Sequence, residues 1–216
     1  MILIKKGTPP DSLVAYRQEF NAYFDGYNKN DIRDKLLEEQ GHLCAYCMQR
    51  IDKETMKIEH WYPEERLTDK ECLDYNNMLG CCPGHIDGSS GKNDTCDSKK
   101  GNKLITVDPR KLEHIVQIKY SSKDGRIFSD NSEFEKDIDS TLNLNEPSHY
   151  LMQGRKAALD EVKNFLSQKV KKGNWTESSM RRLLQRYENA NAEGKKKEYA
   201  GIVIWYLRKR LTGGTK

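Results

Sequence analysis

Six cysteines stand at positions 44, 47, 72, 81, 82 and 96, all within one quarter of a 216-residue chain. Such clustering leaves two outcomes, a disulfide framework or a metal site, and the compartment decides between them. The N-terminus offers only Ile2-Leu3-Ile4 before Lys5-Lys6, too short for the apolar core of a secretory signal. No apolar run approaches the roughly 20 residues that cross a bilayer. With 32% charged residues and a mean hydropathy of -0.90, the expectation is a cytoplasmic protein with no membrane partner. Its thiols then stay reduced and bind metal rather than one another.

Cys44-Ala45-Tyr46-Cys47 has the two-residue spacing of a zinc knuckle, a tight turn that lets both thiolates reach one ion. A redox dithiol of this spacing opens a helix after a strand, and that context is missing here. The second pair must come from Cys81, Cys82 and Cys96. Adjacent cysteines do not easily both bind one ion, so one of Cys81 and Cys82 is spare. His85, after Pro83-Gly84, is a reserve ligand, and Cys72 reads as an ordinary small thiol. A closed four-thiolate site does no chemistry of its own. It staples a stretch too poor in apolar residues to hold itself together.

The surrounding sequence reads as α+β. Pro9-Pro10-Asp11-Ser12 starts a helix whose apolar positions Leu13, Tyr16, Phe20, Tyr23 and Phe24 recur at helical spacing. Asn30 or Asp31 caps a second, carrying Ile32, Leu36 and Leu37 and ended by Gly41. Met56 to Trp61 alternates like a strand, Asn76 to Cys82 reads as another, and Cys96 to Lys103 as a short helix. Ser122-Lys123-Asp124-Gly125 turns a hairpin between Ile115–Tyr120 and Arg126–Phe128. One helix ends at Asn145, a long one runs from Pro147-Ser148 to Gly173, Thr176 caps a third, and Lys195 to Leu211 makes a fourth. We expect an N-terminal helical segment over 1–41, a core over 42–110, and a hairpin plus basic helical region over 111–216.

Between the cysteine pairs lie Glu59-His60 and Asn77, and Asp97 follows the last cysteine. A histidine, an asparagine and a further metal-binding side chain enclosed by two cysteine pairs resemble the HNH nucleases. The likeness extends through Leu43-Cys44-Ala45-Tyr46-Cys47, Ile58-Glu59-His60-Trp61, Asn77-Met78-Leu79 and Cys96-Asp97-Ser98-Lys99-Lys100-Gly101-Asn102. With Asp124-Gly125 and Leu142-Asn143-Leu144-Asn145, it is similar to the retron- and Septu-associated HNH nucleases of the PtuB type. The resemblance implies a zinc-stapled ββα-metal core flanked by helices. It also implies a metal-dependent endonuclease acting on DNA in anti-phage defence, beside a partner ATPase of the PtuA type. A cysteine five residues after the asparagine then selects Cys82, giving Cys44, Cys47, Cys82 and Cys96 as the Zn2+ ligands.

Hydrolysis of a phosphodiester needs an activated water and a cation at the scissile phosphate. An imidazole, which titrates near neutrality, suits His60 to the role of general base. Asp97 and Glu59 would hold Mg2+ or Mn2+, hard cations that prefer oxygen. Asn77 would orient His60 or its loop by a hydrogen bond. Adjacent strand residues face opposite ways, so Glu59 and His60 share one site only if the strand breaks beside them, as Pro63 allows. Asp97 departs from the more general HNH pattern, which has asparagine or histidine there.

Charge supplies the last expectation. Residues 1–148 carry 21 Lys and Arg against 27 Asp and Glu, whereas residues 149–216 carry 16 against 6. The basic third suits a phosphate backbone or an acidic partner. Around the site, Lys92, Lys99, Lys100, Lys103 and Arg110 are candidate phosphate contacts, with Tyr62 and Arg66 at the rim. The chain has no phosphate-binding Gly-x-x-x-x-Gly-Lys-Ser/Thr loop, so ATP hydrolysis belongs to another chain. Two competing readings are a ribonuclease with the same site, attacking tRNA for example, and a non-catalytic zinc-binding adaptor.

Overall fold

The start signal at Pro10-Asp11 opens a short helix, α1 (Asp11–Tyr16), in a computed structural model that describes residues 1–88, 90–169 and 175–213. The apolar spacing predicts its continuation to Phe24, and the chain departs from that. Gln18 and Glu19 close tighter turns onto Ala15 and Tyr16, and the Tyr16 hydroxyl bonds the backbone of Tyr23. The chain reverses, leaving Phe20 94% exposed while Phe24 enters the core. Burial of one aromatic ring there outweighs the helical spacing of the other.

Helix α2 (Asn30–Gln40) is preceded by Lys29 at the cap position rather than by Asn30 or Asp31, and the Asn28 side chain accepts the Asn30 N–H instead. Gly41 ends it in the left-handed conformation, φ 62°, so that the His42 N–H reaches back to Leu37 O at 2.8 Å. The last side chain of α2 does more than fill space. Gln40 donates to Leu43 O and Gly80 O at 2.8 and 2.7 Å and accepts from the Gly80 N–H at 2.7 Å. The helix thereby grips a strand directly.

That strand is β2 (Met78–Cys81), antiparallel to β1 (Lys57–His60), with Glu59 opposite Leu79 and His60 opposite Met78. A Cβ at Gly80 would stand 2.9 Å from Met56 and 3.2 Å from the Gln40 amide, so glycine is what lets the grip close. Between the strands lies the short helix α3 (Asp69–Cys72), begun by a reciprocal capping box of Thr68 and Glu71. After β2 comes α4 (Cys96–Lys100), shorter than the expected run to Lys103.

The remainder follows as α5 (Leu112–Ile115), a second antiparallel pair β3 (Ile118–Tyr120) and β4 (Ile127–Ser129), and α6 (Ser132–Lys136). The expected turn joins β3 to β4, with Gly125 at φ 80°. The helix expected to reach Asn145 gives way to a π-type turn over Asp137–Thr141. Three longer helices complete the order: α7 (Leu151–Lys169), α8 (Glu177–Glu188), capped by Thr176 as expected, and α9 (Ala200–Gly213). The predicted end of α7 at Gly173 lies outside the described residues. Helix α9 begins at Ala200 and not at Lys195, because residues 195–199 are bonded to the knuckle region. Lys196 N–H binds Gly41 O at 3.0 Å, Tyr199 N–H binds Met48 O at 3.1 Å, and Glu198 accepts from the Arg50 N–H at 2.8 Å.

The fold is thus mixed, helices with two small antiparallel sheets among the described residues. One hydrophobic cluster includes residues from Met1 to Leu207. No helix among the described residues is long and apolar enough to cross a membrane.

Candidate functional site

The knuckle turn is closed by backbone bonds from Cys44 N–H to Gln49 O (2.9 Å) and from Met48 N–H to Cys44 O (3.1 Å), with Met48 at φ 66°. Across from it, Cys82 follows β2 and Cys96 opens α4. The ligand atoms of Cys44, Cys47, Cys82 and Cys96 lie within 4.8 Å of one another, and the Cys47 and Cys82 sulfurs are 3.6 Å apart. A tetrahedral ion with bonds of about 2.3 Å puts its sulfurs roughly 3.8 Å apart, so the cluster fits a metal ion such as zinc. Cys81 is outside it, and burial, with the neighbouring Cys44, pushes its thiol well above the ordinary range. At Cys44 burial acts in the same upward sense, but hydrogen bonds from the other sulfurs outweigh it and hold this thiol well below the ordinary value. His85, the reserve ligand, instead pairs with Asp94 at 2.7 Å.

Two chain segments carry this geometry to α4. Thr95 N–H bonds Gly84 O at 2.7 Å and Ser98 N–H bonds Pro83 O at 3.1 Å. Gly84 sits at φ 70°, and a Cβ there would fall 1.9 Å from Thr95 O. Only glycine permits the approach that seats Cys96 and Asp97 beside the knuckle.

Glu59 and His60 point apart, as alternation requires. Pairing runs on past them, with Trp61 N–H on Asn77 O at 2.9 Å, so the expected break that would bring both to one place is not there. Glu59 is buried, accepts from the Tyr46 hydroxyl at 3.2 Å, and pairs with Lys100 at 2.6 Å. The Asp97 carboxyl stands against it. Burial, then the Asp97 neighbour, push the Glu59 carboxyl up to about 8 despite the opposing pull of Lys100. The two carboxyls thus lie against each other in a partly buried place, with the Lys100 ammonium on one of them.

His60 faces the other way, its ring edge-on to Phe24 at 4.7 Å. Its Nε2 is 2.8 Å from Cys72 O. Cys72 is the last residue of α3, where helix carbonyls have no intrahelical partner. A carbonyl can only accept, so in the neutral ring Nε2 carries the proton and Nδ1 keeps its lone pair. Nδ1 looks toward the half-exposed Glu64, at 3.6 Å. The thiol of Cys72 contributes only packing and a weak contact to Glu64 O at 3.9 Å.

Asn77 does not touch the imidazole. Its amide oxygen accepts from the Tyr62 N–H at 2.7 Å and its amide nitrogen donates to Tyr62 O at 2.9 Å. It clamps the chain two residues past His60 and so holds the loop rather than the ring.

The candidate phosphate contacts divide. Lys92 and Lys103 are exposed and Lys99 is half-buried. Lys100 is 1% exposed, held by Glu59 and by His60 O at 2.9 Å. A phosphate cannot reach it; the correction follows from its place on the inner face of α4. Arg110 is committed too, bonded to Asp108 at 2.8 Å and lying over the Trp61 ring. The rim residues Tyr62 and Arg66 are both exposed.

Sequence reasoning missed Glu64, Phe24, Tyr46 and the Cys72 carbonyl. The Thr68-x-x-Glu71 capping box was a readable sign that a helix, and so a free carbonyl, ends near Cys72.

No family model matches the chain. Among curated proteins it is 30% identical over 95 residues to "Retron Vc95 putative HNH endonuclease" of Vibrio cholerae serotype O1 biovar El Tor, a match covering 43% of this chain and 44% of the relative. It is 27% identical over 130 residues to Septu protein PtuB of Bacillus thuringiensis, covering 57% and 49%. The matches thus span about half the length of either relative. Two homologues at modest identity, one named an HNH endonuclease and one a Septu protein, support kinship with HNH-type defence effectors.

Proposed function

We propose that the chain is a metal-dependent HNH endonuclease that cleaves DNA in anti-phage defence and works with a partner ATPase of the PtuA type. The observation that carries this is the pairing of two half-sites on one short hairpin. Glu59 and Asp97 bring their carboxyls together on one side of β1, and on the other His60 has one nitrogen tied to Cys72 O, leaving Nδ1 as the base. The order β1, β2, α4 supports the ββα-metal reading that the resemblance implies.

Glu59 and Asp97 would hold Mg2+ or Mn2+, which when bound supplies charge relief to the phosphate. Because Glu59 and His60 face opposite sides of β1, cation and base meet at one phosphate only where β1 opens beside His60. His60 Nδ1 takes the proton of the attacking water as its oxygen bonds to phosphorus. The bond from phosphorus to the leaving oxygen breaks, and that oxygen takes a proton from solvent. Asn77, through Tyr62, keeps the loop after His60 in place. Cys44, Cys47, Cys82 and Cys96 would hold Zn2+ and so pin the knuckle against the start of α4, where Asp97 sits.

The test compares nicking of supercoiled plasmid by wild type and His60→Ala, with Mg2+ or Mn2+ and with chelator, the partner ATPase present. We expect His60→Ala to be folded and zinc-loaded, with cleavage reduced by about 10² or more. Undiminished cleavage overturns the assignment. A parallel digestion of total tRNA distinguishes a ribonuclease.

A further inference from the structure

Arg155, on α7, is 0% exposed and lies far along the sequence from the cysteines and the candidate catalytic residues. Its Nε donates to Gly125 O at 2.6 Å, and its Nη2 donates to Leu144 O and to the Asn145 side-chain oxygen at 2.9 and 3.0 Å. These acceptors are all neutral. Its Nη1 is buried with no hydrogen-bond partner among the described residues, and no carboxylate pairs with it there. A guanidinium keeps its charge at any physiological pH. A buried charge costs several kcal/mol unless an opposite charge is close, so this one calls for an anion.

The four residues Leu142-Asn143-Leu144-Asn145 show where to look. On one side they hold the cysteine loop: Leu142 O accepts the Cys96 N–H at 3.0 Å, and the Asn143 amide donates to Asp94 O at 3.0 Å. On the other side, Leu144 O and Asn145 hold the guanidinium. One short bracket therefore spans from the sulfur cluster to Arg155. Cys47, Cys96, Tyr120 and Tyr199 are the ionisable side chains in the surroundings of the guanidinium. Burial drives both tyrosines above their ordinary range, which keeps them neutral. A cysteine binds a metal only as its thiolate, so the four-sulfur cluster that the 142–145 bracket holds beside Arg155 becomes the anion once it is loaded.

We infer that Arg155 is the buried counter-charge of the four-sulfur metal centre, coupling metal loading to the docking of α7. Four thiolates around a divalent ion carry a net charge of about -2, in surroundings where such charge is poorly screened. The neutral hydrogen bonds position the guanidinium, and the cluster supplies its compensation. The inference rests on the zinc reading of the cysteines, and not on the nuclease reading.

The test uses the full chain loaded with zinc, as wild type, Arg155→Met and Arg155→Lys, with zinc affinity read by competition with a chromophoric chelator. Arg155→Met should hold zinc about tenfold more weakly, and Arg155→Lys, which keeps the charge and loses the fork, should fall between the two. Equal affinity for wild type and Arg155→Met overturns the inference, as does an Arg155→Lys protein no better than Arg155→Met. A wild type that holds no zinc overturns the zinc reading itself. Should Arg155→Met fail to fold, hydrogen exchange on wild type decides: chelation should loosen residues 151–159 together with 142–145, and unchanged exchange in α7 refutes the coupling.

Discussion

Lys100 and Glu59 are the pair on which the candidate cation site balances. The lysine neutralises a buried carboxyl and donates to the His60 carbonyl, so it links the two half-sites from inside. Above about pH 8, where Glu59 is ionised, removing it strands a buried charge. There Lys100→Met should destabilise the protein by about 3–5 kcal/mol, and adding Glu59→Gln should recover part of that in urea titrations. Glu59 also sets a pH dependence. Its folded pKa of about 8 lies above the ordinary 4.5, so the folded state prefers the protonated carboxyl. In metal-free protein the stability this lends is fully present below about 4.5 and is lost as pH rises through about 8. Urea midpoints at either end of that window should differ for wild type and converge for Glu59→Gln.

At the scale of elements, the site is assembled by pieces too short to stand alone. Strands β1 and β2 have four residues each and α4 has five, lengths with little intrinsic stability. Long-range bonds replace length: Gln40 on Gly80, Asn77 on Tyr62, Gly84 against Thr95. The last has no room for a side chain and a backbone angle that disfavours one. Gly84→Ala should cost roughly 2 kcal/mol or more in thermal or urea unfolding, with faster release of zinc to chelator. Helix α3 shows the same economy, since its capping box starts a single turn whose terminal carbonyl then orients His60.

Across the whole molecule, the basic C-terminal third is partly an interior feature. Residues 195–199 are bonded to the knuckle region, and α7 and α9 place Leu159, Val162, Ile202, Val203 and Leu207 in the common core. Its cations nevertheless stay largely outside: among the described basic residues of this third only Arg155 is buried, while Arg181, Arg182, Arg186, Lys195, Arg208, Lys209 and Arg210 are exposed. With Lys100 buried and Arg110 bound to Asp108, three of the five named cations, Lys92, Lys99 and Lys103, stay solvent-accessible with no carboxylate partner among the described residues. Alanine at Lys92, Lys99 or Lys103 should each lower the slope of log affinity for DNA against log salt by about 0.9. Filter-binding titrations across salt concentrations would measure it.

While the choice of Cys82 over Cys81 came from the resemblance, the sequence alone was enough to determine the Cys44–Cys47 knuckle, the two short strands, the Gly41 stop and the β3–β4 turn. These are set by local spacing, by conformations that only particular residues favour, and by a ligand chemistry that needs few residue types. The neighbours of each functional side chain were decided by tertiary structure. Lys100 turned inward because α4 lies over Glu59, Phe24 left its helix because the core beside His60 had room for a ring, and Arg155 joined the metal centre from well over fifty residues away. Such choices depend on which surfaces meet, and contact between distant segments has no period or spacing in the chain to announce it.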